Sequence, residues 1–373
     1  MRPSAEFRIA VMPGDGIGRE IMPACLALLE RVAHQTNGFA LRFEELPAGA
    51  YTYKETGNAL PASTMAAAKQ ADAILFGAMG WPAIRYPNGT EIAPQLDLRF
   101  DLGLYAGVRP IRALPGVPLA LRDARAEDID FVLIRESTEG LFASRGRGVV
   151  EGNHEARDTM VITRRGSERV FDFAFRLARQ RRRRDSRAPV VTCVDKSNVF
   201  ASFAFFREIF VERAALFPDV KAGCAYIDAM ALDLVRRPWE LDVLVTENMF
   251  GDILSDLGAG LVGGMGMAPS GDVGDEHALF QPCHGTAPDI AGQGKANPTA
   301  MFLSAAMMLE WLAVRHGIEA CAEAADTINT AIHRAYSAGT LRPCEFGGSD
   351  GTAAIARAVL AAMEEPAAKS AAS

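Results

Sequence analysis

The chain has 373 residues, of which 49% are hydrophobic and 23% charged, and its formal net charge at pH 7 is −7. This composition is typical of a soluble globular protein with one large or two medium domains. The negative charge argues against general nucleic-acid binding.

Six cysteines are scattered along the chain without any C-x-x-C pair. This spacing predicts reduced thiols in a cytoplasmic protein rather than disulfides or a zinc site. No apolar run is long enough to span a membrane, and the N-terminus lacks the apolar core of a signal peptide. We therefore expect a cytoplasmic protein without membrane contact.

The chain opens with a predicted strand (7–12), the turn PGDGIG (13–18) and a predicted helix (19–31). Strand, glycine turn and helix indicate an α/β fold. The glycines are spaced G-x-G-x-G, whereas a dinucleotide-binding Rossmann turn has G-x-G-x-x-G. The spacing favours a turn chosen for its backbone angles.

Further strands are predicted at 39–46, 73–76 and 131–134, with a helix after Pro61 and a polar loop at 81–94. Arg99, Arg109 and Arg135 lie close to the ends of predicted elements. Three such arginines can clamp a polycarboxylate through paired hydrogen bonds, although each alone is typical of a protein surface.

The middle of the chain is polar, becomes β-like at 159–163, and continues as a helix from about Ser167 into the basic run 179–187. A short basic run at a helix end, within an acidic chain, indicates a solvated helix face rather than a nucleic-acid site.

Strands predicted at 190–194, 221–227 and 241–245 lead into Lys196, into Asp228, and into the pair Asp252 and Asp256. Ligands of open α/β sheets bind at the carboxyl ends of strands. On a helix, Asp252 and Asp256 would lie on one face, where their repulsion costs a few tenths of a kcal/mol. An oxygen-seeking cation is one reason for such a pair, and a solvated helix face is the alternative.

Residues 258–274 include seven glycines, and a second polar loop follows at 284–292. Asn297-Pro298 predicts the start of an apolar helix over 299–314, and two more helices complete the chain.

Six motifs then follow one another across most of the chain: PGDGIG (13–18), LRFDLGLYAGVRP (98–110), IRESTEG (134–140), VDKSN (194–198), ENMFGDILSD (247–256) and HGTAPDIAGQGKANP (284–298). Together they resemble the isopropylmalate, isocitrate and tartrate dehydrogenase family of β-decarboxylating hydroxyacid dehydrogenases. The resemblance implies a two-domain α/β fold that is not a Rossmann fold, with parallel and mixed sheets flanked by helices. It implies a cofactor-binding domain of 1–104 and 263–373, a central domain of 105–262, and a homodimer with shared active sites.

The same resemblance assigns roles to residues. Arg99, Arg109 and Arg135 match the arginines that hold substrate carboxylates. Lys196 matches the catalytic lysine, and together with Asp228 it is expected from the neighbouring subunit. Asp228, Asp252 and Asp256 match the ligands of Mg2+ or Mn2+.

The matched cofactor residues are His284, Gly285, Thr286, Ala287, Asp289 and Asn297. Members that use NADP carry Lys-Tyr where this chain has Asp289-Ile290. A carboxylate there would bind ribose hydroxyls and repel a 2′-phosphate, so NAD is the expected cofactor.

Phe142 departs from the family pattern, because the family places a tyrosine there that helps to protonate the enol. Water, Ser137 or Ser144 are candidate replacements. The departure also raises the alternative of a non-catalytic regulatory paralogue. The presence of the lysine, the three aspartates and the three arginines favours an active enzyme instead.

The residues before Arg99 match the segment that contacts the substituent on the third carbon of malate, and here they are 92–97, IAPQLD. The absence of serine argues against isocitrate. Leu96 and Ile92 would suit an apolar group, whereas Gln95 and Asp97 would suit it less. We therefore expect 3-isopropylmalate as the hydroxy-dicarboxylate substrate, with tartrate or D-malate as the alternative.

Overall fold

A computed structural model describes residues 5–181 and 188–364. The strands are β1 (Glu6–Gly14), β2 (Ala40–Glu45), β3 (Ala73–Ala78), β4 (Ala106–Arg112), β5 (Asp130–Glu136), β6 (Val149–Glu151), β7 (Glu155–Arg157), β8 (Val190–Asp195), β9 (Lys221–Tyr226), β10 (Val243–Thr246), β11 (Pro269–Val273) and β12 (Ala278–Pro282). The helices are α1 (Gly18–Thr36), α2 (Ala50–Thr56), α3 (Ala62–Gln70), α4 (Pro94–Asp101), α5 (Arg164–Gln180), α6 (Ala201–Ala214), α7 (Ile227–Arg236), α8 (Asn248–Leu261), α9 (Thr299–His316), α10 (Glu319–Ser337) and α11 (Thr352–Glu364).

Ten strands form one mixed sheet in the order β2-β1-β3-β12-β11-β4-β5-β10-β8-β9. Neighbouring strands are parallel except at the centre, where β11 is antiparallel to both β12 and β4, and β4 is antiparallel to β5. This α/β sheet, flanked by helices, confirms the predicted fold class. The division of the chain into two domains stays a prediction.

The direction of the strands decides where polar side chains meet. Strands β5, β10, β8 and β9 are parallel to one another, so their carboxyl ends share one edge of the sheet. Arg135 lies near the end of β5, Lys196 follows β8, and Asp228 follows β9. The three residues therefore lie at one edge of the sheet, and binding of a ligand there stays a prediction.

The N-terminal glycine turn is built around Asp15, which is completely buried. Its carboxylate accepts backbone N–H groups of Ala50 at 2.6 Å, Tyr51 at 2.9 Å and Gly80 at 2.9 Å. A Cβ on Gly16 would lie 2.2 Å from the carbonyl oxygen of Thr286, and Gly16 has a φ of +51°. The turn thus connects three segments by close backbone approach, as the G-x-G-x-G spacing indicated.

The helices cover the sheet with apolar side chains. Phe171 and Phe175 of α5 contact Phe206, Phe210 and Phe217 at ring-centroid distances between 4.5 and 5.4 Å. On the other half of the sheet, α9 contributes the fully buried Phe302. None of the helices in the described ranges combines the length and the apolar character needed to cross a bilayer.

The prediction of a β-like segment at 159–163 was wrong. Val161 makes only an isolated bridge with Gly140, and Thr163 caps α5 by accepting the N–H of Gly166 at 3.1 Å. A short hairpin of β6 and β7 precedes this segment instead. Among the described residues this segment pairs with no strand beyond the single bridge at Val161, so its local β-pattern does not develop into a strand.

The basic run 179–187 is described only in part, since residues 182–187 lie outside the described ranges. Arg179 pairs with Asp219 at the surface. Arg181 is largely buried and pairs with Asp130, and with Asp242 at 2.8 Å. Arg181 therefore departs from the predicted solvated face, because two carboxylates from other elements draw it in.

Candidate active site

Arg99, Arg109 and Arg135 form one buried cluster, with relative exposures of 6%, 5% and 4%. Arg99 donates from Nε to Asp272 Oδ2 at 3.0 Å, and Arg109 reaches Asp272 Oδ1 from Nη2 at 3.4 Å. Since buried cations are costly unless paired, Asp272 makes the cluster possible.

Arg135 is held from α8 rather than by a contact with Asp272. Its Nε donates to Asn248 Oδ1 at 2.9 Å, and its Nη1 donates to Asp252 Oδ1. Burial first, and then the charge of Arg99, lower the pKa of Arg135 to about 10, so the guanidinium remains charged at pH 7. The sequence-predicted arginines are thus brought together in a form able to bind anionic oxygens.

Asp252 and Asp256 lie on α8, so the segment is helical, as the hypothesis of a shared face required. The helix begins after Glu247, whose side chain accepts the N–H groups of Phe250 at 2.8 Å and Met249 at 3.1 Å. Burial, followed by the charge of Asp252, raises the pKa of Asp256. The two carboxylates repel each other in this state, which favours a cation between them.

Lys196 and Asp228 form a second group. Lys196 Nζ donates to Asp228 Oδ1 at 2.7 Å, and this hydrogen bond is the main reason that the pKa of Asp228 is lowered. The side chain of Asp228 is 69% exposed. Within residues 5–181 and 188–364 of one chain, no three acidic, histidine or cysteine side chains lie close enough to hold a metal ion. Asp228 therefore does not join Asp252 and Asp256 within one subunit.

The loop that follows β12 carries the predicted cofactor residues. The Nε2 atom of His284 is buried and has no hydrogen-bond partner, while Nδ1 lies 2.9 Å from the carbonyl oxygen of Gly285. Burial lowers the pKa of His284, so the ring is neutral at pH 7. Ala287 has a φ of +41°, a left-handed conformation that non-glycine residues rarely adopt. A buried polar atom without a partner, such as His284 Nε2, and a strained residue nearby in sequence, such as Ala287, are together typical of a binding loop.

The remaining candidate cofactor residues differ in how exposed they are and in whether their polar groups already bond within the protein. Gly285 and Asp289 are exposed, and a Cβ on Gly285 would meet nothing within 4 Å. Thr286 is buried, and its carbonyl accepts the N–H of Ile17 at 3.0 Å. Asn297 is buried and uses its side chain within the protein, donating to Glu345 Oε1 at 2.6 Å and accepting the N–H of Thr299 at 3.0 Å.

Phe142 lies against the arginine cluster, with the guanidinium carbon of Arg135 5.0 Å from its ring centroid. It also lines a cavity of about 390 Å³ together with Phe100. Ser137 donates to the carbonyl of Arg135 at 3.3 Å, and Ser144 donates to the carbonyl of Thr159. Both hydroxyl groups are therefore engaged with the backbone rather than free to replace a tyrosine.

Helix α4 presents Gln95, Leu96 and Arg99 on one face, because residues three and four apart are neighbours on a helix. The Oε1 atom of Gln95 is buried without a partner. Ile92 is completely buried in a cluster with Ala50 and Ala59. The expectation that Ile92 lines an apolar substrate pocket was therefore wrong.

Known proteins with similar sequences and structures identify the family of this chain. The sequence model described as isocitrate/isopropylmalate dehydrogenase matches residues 8–359. The chain belongs to the isocitrate/isopropylmalate dehydrogenase family. It is accordingly a dehydrogenase that acts on a hydroxy acid, with oxidative decarboxylation as the reaction of the family.

Among the members of the family, the 3-isopropylmalate/3-methylmalate dehydrogenase of Methanocaldococcus jannaschii is 42% identical over 96% of this chain and 99% of its own. The 3-isopropylmalate dehydrogenase of Moorella thermoacetica is 42% identical over 82% of this chain and 85% of its own. The crystal structure of isocitrate dehydrogenase from Methylococcus capsulatus aligns with a TM-score of 0.84 at 34% identity, covering 96% of this chain and all of that one.

Three residues of the site were absent from the sequence predictions: Asp272, Asn248 and Ser270. Asn248 and Asp272 hold arginines directly, and Ser270 accepts a hydrogen bond from Arg109. One signal was available for Asp272, since three arginines in one buried site require a buried anion. The sequence offered no comparable signal for Ser270.

Proposed function

We propose that the protein catalyses the NAD- and divalent-metal-dependent oxidative decarboxylation of a 3-substituted malate, with 3-isopropylmalate as the first candidate substrate. The observation that carries the proposal is the buried cluster of Arg99, Arg109 and Arg135 at the edge where Asp252 and Asp256 lie. Arginines suit the two carboxylates of a malate, and carboxylate oxygens suit Mg2+ or Mn2+.

The reaction divides among these residues as follows. The arginines bind the substrate carboxylates and orient the hydroxyl-bearing carbon. Lys196, or a water that it orients, removes the hydroxyl proton, and Asp228 holds the lysine in place at 2.7 Å. When bound, NAD would supply the hydride acceptor, and a metal ion held by Asp228, Asp252 and Asp256 would supply positive charge that stabilises the substrate oxygens. Loss of CO2 breaks the bond between the third carbon and its carboxylate and leaves an enol, which needs a proton on that carbon. Phe142 has no proton to give, so a water molecule would supply it.

The metal residues fit a hard cation, because Asp228, Asp252 and Asp256 offer only oxygen ligands. Two of them lie on one face of α8, and we propose that Asp228 and Lys196 arrive from the partner subunit of a homodimer. Exposed apolar side chains on α7 and α8 support such an interface: Leu232 is 52% exposed, Val235 49% and Ile253 60%. A homodimer would bury this surface.

The cofactor loop fits a dinucleotide through three features. His284 offers a buried nitrogen without a partner, Gly285 leaves open space beside the backbone, and Asp289 presents a carboxylate to solvent. A carboxylate accepts ribose hydroxyls and repels a 2′-phosphate, which supports NAD over NADP. We place this loop in a cofactor-binding domain of residues 1–104 and 263–373, with a central domain of 105–262. With six unpaired cysteines, the cytoplasm is the proposed location.

A second candidate substrate class is favoured by Gln95. Gln95 lies on the face of α4 that bears Arg99. Its buried Oε1 atom accepts no hydrogen bond from the residues that the structure describes. A hydroxyl on the third carbon of the substrate, as in tartrate, would supply that donor, whereas an isopropyl group would not. Leu96 on the same face favours an apolar group.

A panel of malates that differ only at the third carbon separates these candidates. The panel contains 3-isopropylmalate, 3-methylmalate, D-malate and tartrate, each assayed by absorbance of reduced NAD with Mn2+. We expect the highest kcat/KM for 3-isopropylmalate. A higher value for tartrate would move the assignment to the hydroxyl-bearing acid. No reduction of NAD with any member would contradict the proposed function.

A further inference from the structure

Asp272 is a completely buried carboxylate that touches two of the three arginines. It also accepts a hydrogen bond from Gln281 Nε2 at 3.1 Å. Burial acts to raise the pKa of Asp272, but the charges of Arg99, Arg109 and Arg135 outweigh it, so the pKa is lowered. Asp272 is therefore ionised at pH 7.

The sheet register explains why Asp272 reaches the arginines. Asp272 of β11 is paired with Gly107 of β4, and Gly107 is paired with Arg135 of β5. A Cβ on Gly107 would lie 3.2 Å from Asp272 Oδ1 and 2.7 Å from Ser137 Oγ. The glycine thus leaves room for the carboxylate between the strands. Arg109, two residues along β4, lies on the same face as Gly107.

Asp272 also changes the charge that the cluster presents. The three arginines contribute three positive charges; Asp272 offsets one of them from a fully buried position, and Asp252, whose side chain is 51% exposed, pairs with Arg135. Its neighbour Gln281 is neutral. Each carboxylate of a substrate that binds these arginines would meet the buried negative charge of Asp272, so a third carboxylate would add a repulsion that a dicarboxylate does not have.

We propose that Asp272 is a positioning residue that fixes Arg99 and Arg109 and sets the specificity of the site for dicarboxylates over tricarboxylates. This inference rests on the proposed function, since it assumes that the arginines bind the substrate. At an effective dielectric constant of about 20, like charges about 10 Å apart repel by an amount that corresponds to roughly tenfold in an equilibrium constant.

The test compares two acids that share the malate core. The dissociation constants of isocitrate, a tricarboxylate, and 3-isopropylmalate, a dicarboxylate, are measured by calorimetry with Mg2+ and without NAD, so that no turnover occurs. In Asp272→Asn the preference for the dicarboxylate should fall by roughly tenfold. Glu276→Gln, which removes a charge from a side chain that is 77% exposed, is the matched control and should leave the preference unchanged.

Loss of a residue that only supported the fold would weaken the binding of both acids equally. The ratio of the two dissociation constants therefore reports the effect of the Asp272 charge alone. Asp272→Ser provides the same measurement if the asparagine variant fails to fold. In the double variant Asp272→Asn/Gln281→Glu the carboxylate returns on the neighbouring side chain, and the preference should return towards that of the unmodified protein. An unchanged ratio in folded Asp272→Asn or Asp272→Ser overturns the inference. Failure of the proposed function would instead appear as absence of turnover with the malates.

Discussion

Lys196 Nζ lies 2.7 Å from Asp228 Oδ1, although the two residues follow different strands and are 32 positions apart. Because β8 and β9 are parallel neighbours, their carboxyl ends bring lysine and aspartate together within one subunit. The pair is separate from Asp252 and Asp256, with which it would have to act in catalysis. In the proposed homodimer, the partner subunit would supply the lysine and aspartate pair to the site that holds Asp252 and Asp256.

We predict that the inactive variants Lys196→Met and Asp252→Asn restore activity when mixed. A heterodimer would contain one site with an intact lysine from one chain and an intact metal pair from the other. Random exchange should therefore recover about a quarter of the normal kcat. The measurement is activity after denaturation and joint refolding.

The matched control mixes Lys196→Met with Asp228→Asn. Both residues come from the same side of each site, so neither site of the heterodimer is intact and no activity should return. Heterodimers that form in the first mixture without any gain in activity would place the complete site within one chain.

We predict that Lys196→Met lowers kcat by at least about a hundredfold, the contribution of a general base, and leaves the dissociation constant of NAD nearly unchanged. The cofactor loop lies on a different part of the sheet, after β12. Lys221→Met, at the exposed start of β9, serves as the control. Near-normal turnover in Lys196→Met would remove the lysine from the mechanism.

We predict that Asp289→Lys combined with Ile290→Tyr shifts cofactor preference towards NADP. The change replaces a charge that repels the 2′-phosphate by one that attracts it, so the ratio of kcat/KM for NADP to that for NAD should rise by roughly a hundredfold. Glu323→Lys, an exposed acid on α10, tests whether added positive charge alone is sufficient. An unchanged ratio would show that the adenosine ribose binds elsewhere.

We predict that Phe142→Tyr raises the kcat of the overall reaction, measured by absorbance of reduced NAD, by roughly tenfold or more, because the phenol supplies the enol with the proton that phenylalanine lacks. The ring already lies beside Arg135. Phe100→Tyr adds a hydroxyl to the same cavity at a different position and should have no such effect. An equal kcat in Phe142→Tyr and the unmodified protein would show that protonation of the enol is not limiting.

Affinity for NAD should be constant from about pH 8 to below pH 6.5, the ordinary pKa of histidine, and should fall only at still lower pH. The pKa of His284 is lowered by burial, so the neutral ring persists below the usual value, and protonation would turn its buried acceptor into a donor. Titration of NAD fluorescence quenching against pH measures this. His284→Asn should bind more weakly but without the acid-side loss, and a persisting loss would exclude His284 as its source.

The sequence predicted those parts of the site that depend on local patterns. Apolar runs placed β8, β9 and β10, and the residues that follow them were identified as Lys196, Asp228 and the pair on α8. The reason is physical, since parallel strands bring their carboxyl ends to one edge whatever their order.

Features that depend on distant pairing were not predicted. Strands β11 and β12 lie among glycines and polar residues, and they form strands through pairing with each other and with β4 and β3. Asp272 lies in this stretch, so its importance appears only when three elements meet around it. The hairpin of β6 and β7 is short and exposed, and it lacks an apolar pattern.

The most direct test of the central claim is the stoichiometry of products from 3-isopropylmalate with NAD and Mn2+. Reduced NAD is measured by absorbance and CO2 by trapping in the same reaction. Equal amounts of the two products are expected, and none of either after chelation of the metal. Tight binding of NAD and the acid without formation of either product would contradict it.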